Sequence, residues 1–333
     1  DFDNILKQKN DLPQMPSFVS KLLDDKNRIM IAQLNNMIVK VNLPESLKKK
    51  GVVLCSFRDA LASHSALAED FFRNRTIKIG ESKLVAFNYA NFNSGVFLYI
   101  PKNVDVENPI YHIMSIDGSA TIAQTVIIAE EGSSLTFVEE DYSTSKEAFH
   151  SSLVEIHLAE NASANFVNIQ DFSENVTSIV NKKARVEKDA RMNWIIGLLG
   201  SRLSRAKRDT ILAGQGSSVG DTEVFFGRNS QHFDITSNIS HTVPNTKGEV
   251  LVKGVLCDKA RSVSQGMIRV SKDAQKTDSF LAEHTMLLDK EARSDAVPGL
   301  EIEANDVRCT HSASVSQIDE EQVFYLVSNG LAE

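Results

Sequence analysis

The run AEEGSSL at residues 129–135 has three near copies downstream: AENASANF at 159–166, EKDARMNW at 187–194 and AGQGSSVG at 213–220. In each, a short polar run leads into Gly or Ala, and a stretch rich in Val, Ile, Thr, Ser and Phe follows. The small residues Gly132, Ala162, Ala190 and Gly216 stand 30, 28 and 26 residues apart. CDKARSV with Ala260, SKDAQKTD with Ala274 and DKEARSDA with Ala292 extend the series at steps of 44, 14 and 18. A sandwich closed by tight hairpins would carry Asn-Gly or Asp-Gly pairs between its strands, and only Asp117-Gly118 near the start fits. A period of this size, or half of it, is what the coils of a parallel β-solenoid produce, with a small residue where the chain turns the corner. Roughly 220 residues stacked at about 4.8 Å per coil make a rod roughly 40 Å long, with a narrow apolar interior. Its two ends expose edge strands that invite further pairing.

The flanks read differently. Residues 17–23 and 61–72 show helical spacing, 52–54 a short strand, and GVFLYIPKNV at 95–104 a strand stopped by Pro101. After Ile318 the period changes again: Asp319 is a candidate N-cap, Val323, Phe324 and Val327 follow at helical spacing, and Gly330 is a plausible stop. The expected organisation is a small α/β cap over 1–93, a β-solenoid core over 94–318, and the start of a helical segment over 319–333. The fold class is mainly β.

Composition narrows the function. At 333 residues, 42% hydrophobic and 24% charged, the chain is an ordinary globular sequence. It has no apolar run approaching the roughly 20 residues of a spanning helix, and its first residues carry no basic and apolar leader. Cys55, Cys257 and Cys309 form neither a C-x-x-C pair nor a disulfide framework. A cytoplasmic protein is expected. A net charge of −8 argues against nucleic acid as the main partner. The one basic cluster, RLSRAKR at 202–208, reads as a solvated strand face, with an anion or acidic partner as the sharper alternative.

The chemistry-bearing stretch is NDVRCTHSASVSQIDEEQVFYL at 305–326. Cys309 and His311 sit two apart where neighbours favour strand, so both point to one face and form a possible ligand pair. Glu283 and His284 are adjacent, hence on opposite faces, and cannot readily share a metal. His150, His157, His232 and His241 lack metal-type spacing. Cys257 reads as a packing residue at a corner and Trp194 as a core anchor.

DVRCTHSASVSQIDEEQVFYLVSNGL at the C-terminal end, KGVLCDKARSVSQGMIRVSKDAQKTDS at 253–279 and GVFLYIPKNV together resemble the SufB and SufD proteins of iron-sulfur cluster assembly. The similarity spans most of the chain, from about Leu54 to Leu331. It implies a right-handed parallel β-helix with an N-terminal cap and a C-terminal helical segment. It also implies membership of a SufBCD complex, with a SufC-like ABC ATPase and a SufB-like subunit or second copy of the chain as partners, and a nascent Fe-S cluster as cargo. SufB-type members carry a cysteine immediately before the Asp-Ser of the QKTDS-like segment; here that position is Thr277. SufD-type members carry a histidine in a Cys-Ser-His context like that of Cys309, Thr310 and His311. The chain is therefore SufD-like at both positions. His311 is the expected cluster ligand at a subunit boundary, histidine being an accepted substitute for thiolate, and Cys309 the weaker candidate. Family members extend into ATPase-docking helices past the position of Leu331, so a further tail is expected.

Two other functions compete. A carbohydrate-active solenoid would carry acid pairs set for acid/base work, and Asp171 with Glu174, or Glu301 with Glu303, read more simply as solvated surface. An interaction platform without cluster ligands is the second. A Walker A motif is absent from residues 1–333, so no ATP hydrolysis by this chain, and no catalytic role, is expected.

Overall fold

Through most of residues 163–270 the chain alternates buried with more exposed residues at a period of two, as a strand with one face on a core must. The structure, a computed structural model, describes residues 17–317 and 320–331. The N-terminal part holds β1 (Ile29–Leu34), β2 (Met37–Asn42), β3 (Val53–Ser56) and five helices: α1 (Ser17–Asp24), α2 (Glu45–Lys49), α3 (Phe57–Ser63), α4 (Ser65–Arg73) and α5 (Lys83–Asn91). The single helix expected over 61–72 is broken at His64, which lets Phe57 and Ala60 of α3 and Phe71 of α4 reach one apolar cluster with Phe97 and Val126.

Two sheets then build up in strict alternation. One receives β4 (Ser94–Ile100), the other β5 (Ile110–Ile116), and so on through β6 (Ala120–Ala129), β7 (Ser134–Ser143), β8 (Ala148–Leu158), β9 (Ser163–Asp171), β10 (Val176–Val186), β11 (Arg191–Leu198), β12 (Leu203–Leu212), β13 (Ser218–Gly227), β14 (His232–His241), β15 (Lys247–Leu256), β16 (Arg261–Val270), β17 (Asp278–Leu287), β18 (Arg293–Ile302) and β19 (Arg308–Gln317). Even strands pair with even and odd with odd, all parallel from β4 and β5 onward. The register advances by 26 residues at Thr177↔Leu203 and 32 at Arg261↔Arg293. This is a parallel β-solenoid. At the N-terminal end β1 joins the odd sheet in parallel, and the antiparallel β2 and β3 complete the two edges. The structure also contains α6 (Glu320–Ser328), whose Gly330 stop has φ +91°; Asp319, the expected cap, lies outside the described residues. Among the described residues no helix is long and apolar enough to cross a membrane.

The corners explain the sequence period. Left-handed backbone recurs at Gly132, Asn161, Asp189, Gly216, Asn245 and Lys276. The residue after each, Ser133, Ala162, Ala190, Ser217, Thr246 and Thr277, is buried. Gly, Asn and Asp suit the first position because they tolerate positive φ, and only a small side chain fits the second. Ala260 and Ala292 belong to the opposite corner, so the step of 44 from Gly216 to Ala260 is one and a half coils.

The interior departs from the apolar expectation. One inward row of the odd sheet runs Ile110, Phe137, Phe166, Trp194, Asp221, Val250, Leu281, His311. Phe137 stacks on Phe166 at 5.6 Å and Phe166 meets Trp194 edge-on at 5.2 Å, while the Trp194 indole N–H donates to Thr210 Oγ1 at 3.0 Å. Each such side chain contributes about 1.5–3 kcal/mol by leaving water. The neighbouring row carries His112, Glu139, Asn168, Ile196, Glu223, Val252, Glu283 and Ala313. Facing it, Lys182 pairs with Glu139, and Arg208 pairs with Asp221 at 3.0 Å and with Glu223. The basic cluster expected on the surface is therefore split: Arg205 meets Asp234 and Lys207 meets Asp209 outside, whereas Arg208 is 1% exposed inside.

Outside the even sheet, α5 and the segment at 74–78 form a layer over β6 and β8. Asn88 Nδ2 donates to Ser151 Oγ at 3.0 Å, and the Thr76 and Ile77 N–H groups donate to Glu155. That layer is why β8 is buried on both faces.

Candidate functional site at the open end of the solenoid

The coil made by β18 and β19 is the last, and among the described residues each strand is paired along one edge only. Pro298 is tolerated in β18 because an edge strand leaves ladder donors unused. Among the described residues no further strand covers those with interior parity on this coil. On β19 these are Cys309, His311, Ala313 and Val315, register partners of the buried Ser279, Leu281, Glu283 and Thr285. Facing them from β18 are Ala296, Pro298 and Leu300. The mouth is thus mainly apolar, with His311 exposed at its rim.

Cys309 and His311 do share one face. Cys309 is half-buried against the end of the core. Burial, and then the Asp278 carboxylate, push its thiol pKa up, partly offset by the Ser279 backbone. That disfavours the thiolate form that binds metal.

Thr277 lies just before β17, at the corner on the Cys309 side of the mouth. It is 2% exposed, and its hydroxyl donates to the Ala274 carbonyl at 2.8 Å. Ser217 makes the equivalent bond to the Gly214 carbonyl at 2.6 Å, so Thr277 is one member of a repeated corner device. Its Oγ1 also lies 3.3 Å from Thr246 Oγ1, which is 2.7 Å from His241 Nδ1. His241 Nε2 reaches Ser279 Oγ at 3.1 Å, and burial lowers its pKa to about 4, so the ring is neutral. His241 and His150, the latter 3.0 Å from Ser178 Oγ, are interior structural histidines. Cys257 is half-buried at a corner, where its carbonyl accepts from Ala260 N–H.

Glu283 and His284 point to opposite faces: Glu283 is 2% exposed, whereas His284 is outside with Nδ1 2.7 Å from Ser314 Oγ. Sequence adjacency to His284 says nothing of the burial of Glu283. Its parity with Leu281 is the signal that places it on an inward row, the one next to that of Leu281 and His311. Among the described residues no three His, Cys, Asp or Glu side chains converge as a metal-binding group.

Residues 112–333 match the family described as SUF system FeS cluster assembly, SufBD core domain, and residues 19–111 match the SufBD protein N-terminal region. The chain is 32% identical over 328 residues to the iron-sulfur cluster assembly protein SufD of Bacillus subtilis, covering 96% of this chain and 75% of that protein. It is 30% identical over 308 residues to an iron-sulfur cluster assembly SufBD family protein of Staphylococcus epidermidis, covering 91% of this chain and 66% of the relative.

Proposed function

This chain belongs to the SufBD family of iron-sulfur cluster assembly proteins, and from that premise we propose that it is a non-ATPase subunit of a Suf-type complex that helps hold a nascent cluster at a subunit interface through His311. The observation that carries the reading is the placement of His311. It continues an interior row of the solenoid, yet stands on the last coil among the described residues, so it is offered to whatever covers the open end. Unpaired strand edges on both sheets supply the means of docking a SufB-like subunit or a second copy. The cluster is cargo, and the energy for assembly comes from a SufC-like ATPase bound to the same complex.

Within the chain, the division of labour follows from the side chains. His311 contributes an exposed imidazole. Thr277 closes a corner. Cys309, its thiol pKa raised, packs beside the last coil.

The test is His311→Ala in cells that depend on this complex. Cluster assembly is expected to fall while the mutant still co-purifies with its partners. Complementation equal to wild type would sink the ligand role and leave an interaction platform.

A further inference from the structure

The two outer faces of the solenoid differ. The even sheet is laced with ion pairs there: Arg205 with Asp234 at 3.2 Å, Lys207 with Asp209 at 2.9 Å and Arg269 with Glu301 at 3.0 Å. The odd sheet instead turns large apolar side chains to solvent toward the C-terminal ends of its strands. Phe226, Val255, Met286 and Ser316 are successive register partners across β13, β15, β17 and β19, and Leu199, one residue past β11, continues the row. Leu199, Phe226 and Met286 are exposed, and the row lines a groove of about 480 Å3. Apolar residues scattered singly over a surface need no explanation, but a contiguous apolar groove marks a place where something docks.

A second apolar surface lies on α6. Val323, Phe324 and Val327 fall on one stripe at helical spacing, and Phe324 is 74% exposed, with Val327 exposed beside it. Among the described residues none of α6 lines the groove. Three relations join the helix to that groove. The first is position: β19 ends at Gln317, two residues before α6 begins, at the same end of the odd strands where the apolar row reaches Ser316. The second is length. Nine residues of helix span about 13.5 Å, and the three strand spacings from β19 back to β13 span about 14 Å. The third is charge: Lys253 and His284 stand along the groove, and Glu321 in the first turn of α6 brings the opposite sign.

We propose that α6 is a strap that folds back on its own chain and closes the apolar groove on the outer face of the odd sheet, with Val323, Phe324 and Val327 laid over Met286, Val255 and Phe226. An amphipathic helix seats its apolar stripe in a groove in this way. In the structure the strap stands open. Closed, it runs along the solenoid axis from the last coil toward β13, and a partner that docks at the open end meets a rim built from β19 and α6 together. The inference goes beyond the cluster-holding reading and uses none of its residues.

The test follows the thiol of Met286→Cys in the full chain by its alkylation rate, resolved by peptide mass so that Cys55, Cys257 and Cys309 are counted separately. Adding Phe324→Asp and Val327→Asp is expected to speed alkylation about tenfold, the factor for a strap closed about nine-tenths of the time. Phe324 and Val327 are exposed with the strap open, so the doubly substituted chain keeps its solenoid, and an unchanged rate at Cys257 verifies this. A second arm pairs Met286→Cys with Val323→Cys under oxidation, using a mixture of isotopically heavy and light chains. The disulfide is expected within single chains, at a yield independent of protein concentration. Equal alkylation rates with and without the two aspartates overturn the strap. Disulfides joining heavy to light chains overturn it in favour of a second copy as the occupant. Alkylation that slows only in the assembled complex, whether or not the aspartates are present, overturns it in favour of another subunit. None of these readouts involves His311, so their failure leaves the cluster-holding reading where it was, and failure of that reading leaves the strap.

Discussion

Leu281 and His311 are register partners on adjacent parallel strands, and Leu281 is completely buried while His311 is exposed. Parity is the same for both; the difference is one further coil. Leu281→Ala should therefore cost about 2–5 kcal/mol by transfer and cavity terms, and His311→Ala less than about 0.5 kcal/mol. Denaturant melts of the two variants measure both. Equal losses would mean that the mouth packs as tightly as the interior.

Arg208 holds two acids inside the solenoid. Arg208→Met leaves Asp221 and Glu223 without their cation, and the expected loss is about 3–5 kcal/mol. Restoring balance with Asp221→Asn and Glu223→Gln in the same chain should recover most of it. Urea midpoints across the series decide this.

Glu223 also sets a pH dependence. Burial pushes its pKa up to about 7 from the ordinary 4.5, with Arg208 opposing and Asp221 adding. The folded state then holds more protons than the unfolded state between about 4.5 and 7, so this group's contribution falls as pH rises through that window. His150 acts oppositely, because burial lowers it to about 3 from 6.5; its stabilising effect is lost as pH falls through that range. Glu223 is isolated by comparison with Glu223→Gln: wild type should lose stability relative to the variant between pH 5 and 7, at up to about 1.4 kcal/mol per pH unit. A flat difference would show that Glu223 titrates normally.

At the corners, Gly216 has φ +78°, and a Cβ there would stand 2.1 Å from Asp189 Oδ1. Gly216→Ala should cost more than about 1 kcal/mol, while Gly214, whose Cβ would strike the Lys188 backbone at 1.9 Å, should tolerate Ala no better. Asp189→Gly, at a left-handed position, should be nearly neutral. Thermal melts rank the three.

Thr277→Cys places a thiol at the buried corner. It should cost about 1 kcal/mol for the lost hydroxyl bonds and react with a thiol reagent far more slowly than Cys257 at its half-buried corner. Labelling rates on the isolated chain, before and after denaturation, check both statements.

The corners were legible in the sequence because positive φ restricts residue choice, so Gly132 and Gly216 stand out even though they mark a position one residue before Ala162 and Ala190 do. The shared face of Cys309 and His311 followed from strand alternation alone. The charged interior was not legible. In LSRAKRDTIL the inward set is Ser204, Ala206, Arg208 and Thr210, which resembles a solvated face until Asp221 and Glu223, supplied by the following strand in the other sheet, are seen opposite. The burial of Glu283 was hidden for a related reason: it depends on neighbouring strands together.

Because every strand from β4 and β5 onward is parallel to the one a coil earlier, the span between the N-terminal helices and the mouth is quantised, one strand spacing of about 4.8 Å per coil. The solenoid acts as a ruler whose divisions can be removed whole. Excising one coil at matched register points shortens the reach by a single division and leaves His311 facing the same way, whereas an excision off by one residue turns the imidazole to the outer face.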